Sequence, residues 1–279
     1  MHARTAARCA VFAIAAAIVA ACGGSPSGPG PVPQPPPNST PPAPANALPV
    51  IDSIAAQGRR VREPASFADL GETIDISARV RDEETAVADL EFAWSATAGT
   101  FEGSGAAVAW RAPSAFATPA DVTISLKVTE RFGYPGAAKV YSQEVSSSAP
   151  VSVHDSAKEL GEMARQFLLD FSDSSIRDVS TIMRNFIPGC YGTQEERDEV
   201  TENRRRYRII ESSVGEAQTT VNFGGVCPYD AKRGDACTAV PVYWKSIDLD
   251  FNATVSVRGT DWLASFYVPA TRRWGMCDS

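Results

Sequence analysis

Between Gly23 and Pro49 the chain carries 11 prolines in 27 residues and no charged side chain. Proline has no backbone N–H to give to a sheet or a helix interior, and the stretch has too little apolar bulk for a core. It reads as polyproline II at about 3.1 Å per residue, a stalk of up to about 80 Å. Folded structure must therefore come from residues 50 onward, and residues 22–49 are a linker. A ligand for proline-binding modules is the competing reading. It would need a cytoplasmic-type partner, which the segment ahead of the stalk argues against.

That segment, residues 1–21, has Arg4 and Arg8 followed by an apolar run from Ala10 to Ala21. Twelve helical residues span roughly 18 Å, well short of the ~30 Å hydrocarbon core, so the run reads as a signal peptide and not a membrane span. It ends Val19-Ala20-Ala21-Cys22, which resembles the lipobox of bacterial lipoproteins. The resemblance implies that Cys22 is acylated and becomes the first residue after cleavage, so that the membrane is a partner through lipid. Gly23 in place of Asp implies sorting to the outer membrane of the cell envelope. The triplets Asn38-Ser39-Thr40 and Asn252-Ala253-Thr254 match a glycosylation acceptor, but in a bacterial context they are chance.

The formal charge is −7, and removing residues 1–21 takes away two arginines and no acid, leaving −9. No nucleic-acid partner is expected of so acidic a chain. Its histidines are His2 and His154, and only His154 survives removal of the leader. Multi-histidine metal sites are thereby excluded, and a Ser/His/Asp triad is possible only through His154. At a domain junction, His154 is expected to be an exposed linker residue.

Residues 50–153 alternate with period two. Ile74, Ile76, Ala78 and Val80 face one way between Thr73, Asp75, Ser77 and Arg79, and Val122, Ile124, Leu126 and Val128 repeat the pattern. Turn material separates the strands, and the spacing predicts an all-β sandwich. The stretches Gly71-Glu72-Thr73-Ile74, Phe92-Ala93-Trp94-Ser95-Ala96, Val108-Ala109-Trp110-Arg111-Ala112-Pro113 and Val122-Thr123-Ile124-Ser125-Leu126 resemble immunoglobulin-like domains of the polycystic-kidney-disease repeat type. In that resemblance Trp94 and Trp110 are core residues, with no intersheet disulfide between them.

After Ser146-Ser147-Ser148-Ala149-Pro150 the apolar period becomes 3.6. Leu160, Ala164, Phe167, Leu168 and Phe171 share a helical face behind a Ser156/Glu159 capping box. A second helix is expected over Ile176 to Phe186, and a third from a Thr193/Glu196 box to about Arg208. Strands follow over 217–223, 237–245, 253–258, 262–268 and 273–277, an α+β order for residues 155–279. That order and the closing Arg272-Arg273-Trp274-Gly275-Met276-Cys277 look like the cone fold of nuclear transport factor 2 and ketosteroid isomerase relatives. The expected architecture is thus multidomain: an immunoglobulin-like all-β sandwich, then a disulfide-bonded α+β cone. Enzymes on that fold use an acid inside the cone. Here Tyr207, Tyr243, Trp244, Asp261 and Tyr267 are the residue types that could line a cavity, and Asp261 is the weak catalytic candidate. Its neighbours Gly259-Thr260 predict a turn open to water.

Cys190, Cys227, Cys237 and Cys277 are confined to the last segment, an even set that in an exported chain reads as two disulfides. Of three connectivities, Cys227 with Cys237 and Cys190 with Cys277 is favoured, with loop-closure terms of about 2 to 3 and roughly 4.5 kcal/mol. A four-cysteine zinc site is the rival and lacks C-x-x-C spacing. Arg204-Arg205-Arg206-Tyr207-Arg208 reads as a solvated, salt-bridged helix face with Glu202 paired to Arg206. Asp82, Glu83, Glu84 and Asp89 gather near a turn as weak calcium candidates, without the alternating spacing of a calcium loop. No cofactor motif is present. Two function classes follow: non-catalytic binding of an extracellular or periplasmic protein or glycan, or a hydrolase or isomerase in the cone cavity.

Overall fold

The computed structural model describes residues 44–136, 138–190, 192–228 and 232–277. The leader, Cys22 and the proline-rich segment up to residue 43 lie outside them. Residues 43–279 form one compact unit.

Its first half is a pair of four-stranded sheets. One runs β1 (Val50–Gln57), β3 (Thr73–Arg81), β6 (Ala107–Arg111) and β5 (Thr100–Glu102). The other runs β2 (Phe67–Asp69), β8 (Tyr141–His154), β7 (Ala120–Phe132) and β4 (Glu91–Ala96). The alternating Ile74, Ile76, Val122 and Ile124 bury themselves between the sheets around Trp110. The Trp110 indole donates to Ala98 O at 3.2 Å. Gly99 makes that turn possible: it sits at φ +83°, and a Cβ there would come within 2.5 Å of Arg111 O. Trp94 is half-buried and donates to Gly105 O at 2.9 Å.

Ser146, Ser147, Ser148, Ala149 and Pro150 lie inside β8, paired with Lys127 to Thr123 of β7. Pro150 is tolerated because of its direction. Ser152 N points away from β7 to Ser66 O, so the N–H that Pro150 lacks, two residues earlier, faces the same open side.

The second half begins with α1 (Ser156–Ser172), which buries Leu160, Ala164, Phe167 and Leu168. Its cap is shifted one residue from the expected box. Asp155 accepts from Lys158 N, and Glu159 reaches back to Asp155 N at 3.0 Å, because Ser156 is engaged elsewhere. The helix α2 is a single turn, Val179–Ile182. The chain leaves it early to run beside the last strand, where Ile187 N donates to Met276 O and Met276 N to Asn185 O, both at 2.9 Å. The third helix, α3 (Thr193–Arg206), starts from Gly192 at φ +88° with no side-chain cap. Thr193 Oγ1 donates instead to Ile187 O at 3.2 Å.

Five strands make the third sheet: β9 (Tyr207–Val214), β10 (Gln218–Val226), β11 (Arg233–Asp248), β12 (Ala253–Val268) and β13 (Arg273–Met276). β11 is long enough to hold both β9 and β10 along one side and β12 along the other. The expected break at Gly259-Thr260 is absent. β11 and β12 pair without a bulge from Ala236–Ser265 to Asp248–Ala253, with Gly259 opposite Val242 and Thr260 opposite Pro241. Disulfides join Cys190 to Cys277 and Cys227 to Cys237, with Cα separations of 6.0 and 5.5 Å.

The halves meet at Phe67, which β2 inserts fully buried among Phe223, Tyr267 and Trp274, with ring centroids 5.5, 4.8 and 6.0 Å away. Phe67→Ala should cost about 3 to 5 kcal/mol. Urea unfolding of the two proteins measures the difference, and a loss under 1 kcal/mol would mean the junction is not the anchor described.

Candidate functional site

On one face of the five-stranded sheet, residues of even number on β11 and odd number on β12 look toward the helices. Val240, Val242 and Leu263 are covered by α1. Farther along the same rows the cover ends, and a cleft opens between α3 and the sheet. It consists of two adjoining cavities of about 320 and 290 Å³ that share Phe171, Asn203, Trp244 and Val257. The larger is lined at one end by Glu196, Glu199, Lys232 and Asp261. The smaller is mostly apolar, with Tyr207, Ile209, Val255 and Val257 around the Trp244 ring. That ring is fixed in place: Nε1 donates to Ser172 Oγ at 2.8 Å, Ser172 is itself tied to Leu168 O, and Phe171 meets it edge-on at 5.4 Å.

The structure thus brings Tyr207, Trp244 and Asp261 to one cleft and removes two other expected lining residues. Tyr243 is on the opposite face beneath the Arg258 guanidinium, 5.2 Å away, and Tyr267 is in the junction. Asp261 is not in an open turn but half-buried within β12, opposite Val240, because the strand continues through Gly259 and Thr260.

The arginine cluster also departs from expectation. Glu202 pairs with Arg205, not Arg206, at 2.6 Å, and Arg206 reaches Asp248 at 2.9 Å. Arg204 is no solvated side chain: it donates to Asp170 O, Asp173 O and Ile176 O and so holds the end of α1 against α3. At the calcium candidates, Asp82 is spent on the Glu84 and Thr85 backbone amides and Glu84 on Ala47 N, while Asp89 ends a single 3₁₀ turn, Val87–Asp89. Among the described residues no group of three or more His, Cys, Asp or Glu is placed to hold a metal.

His154, expected on an exposed linker, is fully buried and stacked on Phe67 at 5.0 Å. Its Nε2 lies 2.9 Å from Ser152 Oγ and its Nδ1 2.8 Å from Glu159 Oε2. Burial pushes the Glu159 carboxyl up, but the His154 hydrogen bond and charge, with the Asp155 amide, bring it below its ordinary value. The row has the order of a catalytic relay, yet Ser152 sits in regular strand, its N–H bonded to Ser66 O, and is itself buried. It joins β8 to α1. The legible clue was the Ser-x-His spacing, which puts both side chains on one strand face.

Beside it, Arg60 serves three carboxylates, Glu63, Asp69 and Glu72, at 2.6 to 2.8 Å, with its guanidinium over the Phe67 and Phe223 rings. Desolvation, with repulsion from Glu63 and Asp69, pushes Glu72 up to about 7 against the pull of Arg60 and the Asp69 amide.

No family model, no curated protein and no solved structure matches this chain.

The folded chain keeps a proton on Glu72 that the unfolded chain releases near 4.3. Between those values the folded state binds more protons, so this group's contribution to stability is present in acid and lost as pH rises through about 7. Glu72→Gln should remove that slope and leave the variant the more stable protein at pH 8, as read from melting temperatures between pH 4.5 and 8. Parallel curves would sink the assignment.

Proposed function

We propose that this chain is an envelope lipoprotein, held by lipid on Cys22 and raised on its proline-rich stalk, that binds a partner with the cleft of its second half. In this reading residues 50–153 are an immunoglobulin-like spacer and residues 155–279 a relative of the nuclear transport factor 2 cone. The observation that carries it is the apolar surface running out of the cleft. Val255 and Val257 in its wall are 38% and 51% exposed, and Leu249 and Phe251 beyond them are 52% and 74% exposed. Contiguous apolar surface on a water-facing body marks a contact site. The two disulfides fit an oxidising compartment outside the cytoplasm.

Isomerase or hydrolase chemistry in the same cleft is the second reading, and it draws on Asp261 in the wall. A carboxyl tuned for such work needs apolar surroundings free of cations. Asp261 shares its end of the cleft with Lys232, Glu196 and Glu199, which favours binding over catalysis.

Two measurements test the reading. Cys22→Ser should abolish incorporation of a fatty-acid probe and release the protein from the membrane fraction, and a labelled Cys22→Ser protein would defeat the anchor. The dye 8-anilinonaphthalene-1-sulfonate should fluoresce on the folded protein and lose most of that signal in Val257→Asp, at unchanged melting temperature. Equal signals in the two proteins would remove the cleft as the binding site.

A further inference from the structure

Most sheet edges of this molecule are guarded. β2 and β5 have three residues each and β13 has four. β1 is bulged between Ile51 and Ser53, and the ladder of β10 shifts between Val221 and Gly225. β9 carries Arg208 and Glu211 and meets β11 across a register shift. The outer strand β4 has six residues and begins at a Glu91–Arg131 ion pair. Short length, bulges and charge are the devices that keep an edge from taking another strand.

From Ala253 to Thr260 the β12 edge is neither short nor bulged, and it carries a single charged residue. Among the described residues this stretch pairs only with β11, because β13 joins β12 no earlier than Ser265. All eight residues are exposed and the ladder beneath them is regular. Three are β-branched on the two faces, Thr254, Val255 and Val257, and a fourth is Thr260. The lone charge, Arg258, lies back over Tyr243 on the far face. The helix-facing side of the same edge is the wall of the cleft.

We propose that this edge takes an extended segment of a partner protein as a sixth strand, its alternate apolar side chains entering the cleft beside Val255, Val257 and Trp244. Main-chain hydrogen bonds along the edge would give affinity, and the cleft would give side-chain selection. Charge sets the polarity. The 259–261 end is rimmed by Glu196, Glu199 and Asp261 against Lys232 alone, so an antiparallel segment carries a lysine or arginine near its N-terminus.

This inference rests on the binding reading, and the two can fail separately, since dye binding reports the cleft and amide exchange reports the edge. The probe is a capped octapeptide of alternating valine and threonine with an N-terminal lysine. It should slow hydrogen exchange at least tenfold at the outward-facing amides of Ala253–Thr260. The effect should vanish for the same peptide with alternate amides N-methylated, and in Val257→Lys, which leaves the fold intact because that side chain is exposed. Unchanged exchange at saturating peptide would overturn the proposal while leaving a dye-binding cleft in place. Equal binding of the N-methylated peptide would also overturn it, as would protection that grows with protein concentration alone, the mark of a second copy.

Discussion

Everything in the folded unit is arranged around the seating of one side chain. Phe67 belongs to a strand of three residues, too short to be held by its ladder alone, yet it fills an aromatic box whose walls come from the other half of the chain. Trp274 closes the box, and its indole donates to Ser156 Oγ at 3.1 Å. Ser156 in turn donates to Asp69 Oδ1 at 2.5 Å, in the same strand as Phe67. Because Ser156 opens α1, the circuit that holds Phe67 also sets where that helix begins. A helix so placed covers the near end of the sheet and leaves the far end open.

The polar shell of the box explains its electrostatics. A guanidinium next to two aromatic rings is desolvated, and its charge is tolerable only with partners. Arg60 has three, two more than neutrality asks, and burial, with repulsion from Glu63 and Asp69, raises Glu72. His154 and Glu159 form the second polar strip, where charge and hydrogen bonding are matched, and there the carboxyl is held low instead.

The parts of this architecture that repeat were legible in the sequence. Period-two alternation marked Ile74 to Val80 and Val122 to Val128, a 3.6 period marked α1, and four cysteines confined to one segment pointed to two bridges. What escaped was decided by contacts distant in sequence. The serine run carries no pattern that marks a strand, because its residues are small and mostly polar, and only β7 makes it one. Gly259-Thr260 looked like a turn because glycine often is one, and only the unbroken β11 ladder shows otherwise. β9 was lost behind the arginine cluster, whose Arg204 turns inward to three backbone carbonyls. Of the cleft, Tyr207, Trp244 and Asp261 were named from residue type. Val255 and Val257 were not, since exposed valines on a strand look like ordinary core until the missing cover is seen.

That missing cover has its own cause in α3. Thr193 and Val200 are its only buried residues, so the helix has no apolar stripe with which to lie down on the sheet. It is held by Val200 in the core, by Arg204 on the backbone after α1 and by the Cys190–Cys277 bridge just before it. A helix that offers the core only Val200 between its ends leaves a gap, and the gap falls over Trp244 and Val257. A more amphipathic α3 would collapse onto those residues, gaining burial and erasing the cleft. The open site and the polar helix are therefore one feature of the sequence, seen once as composition and once as shape.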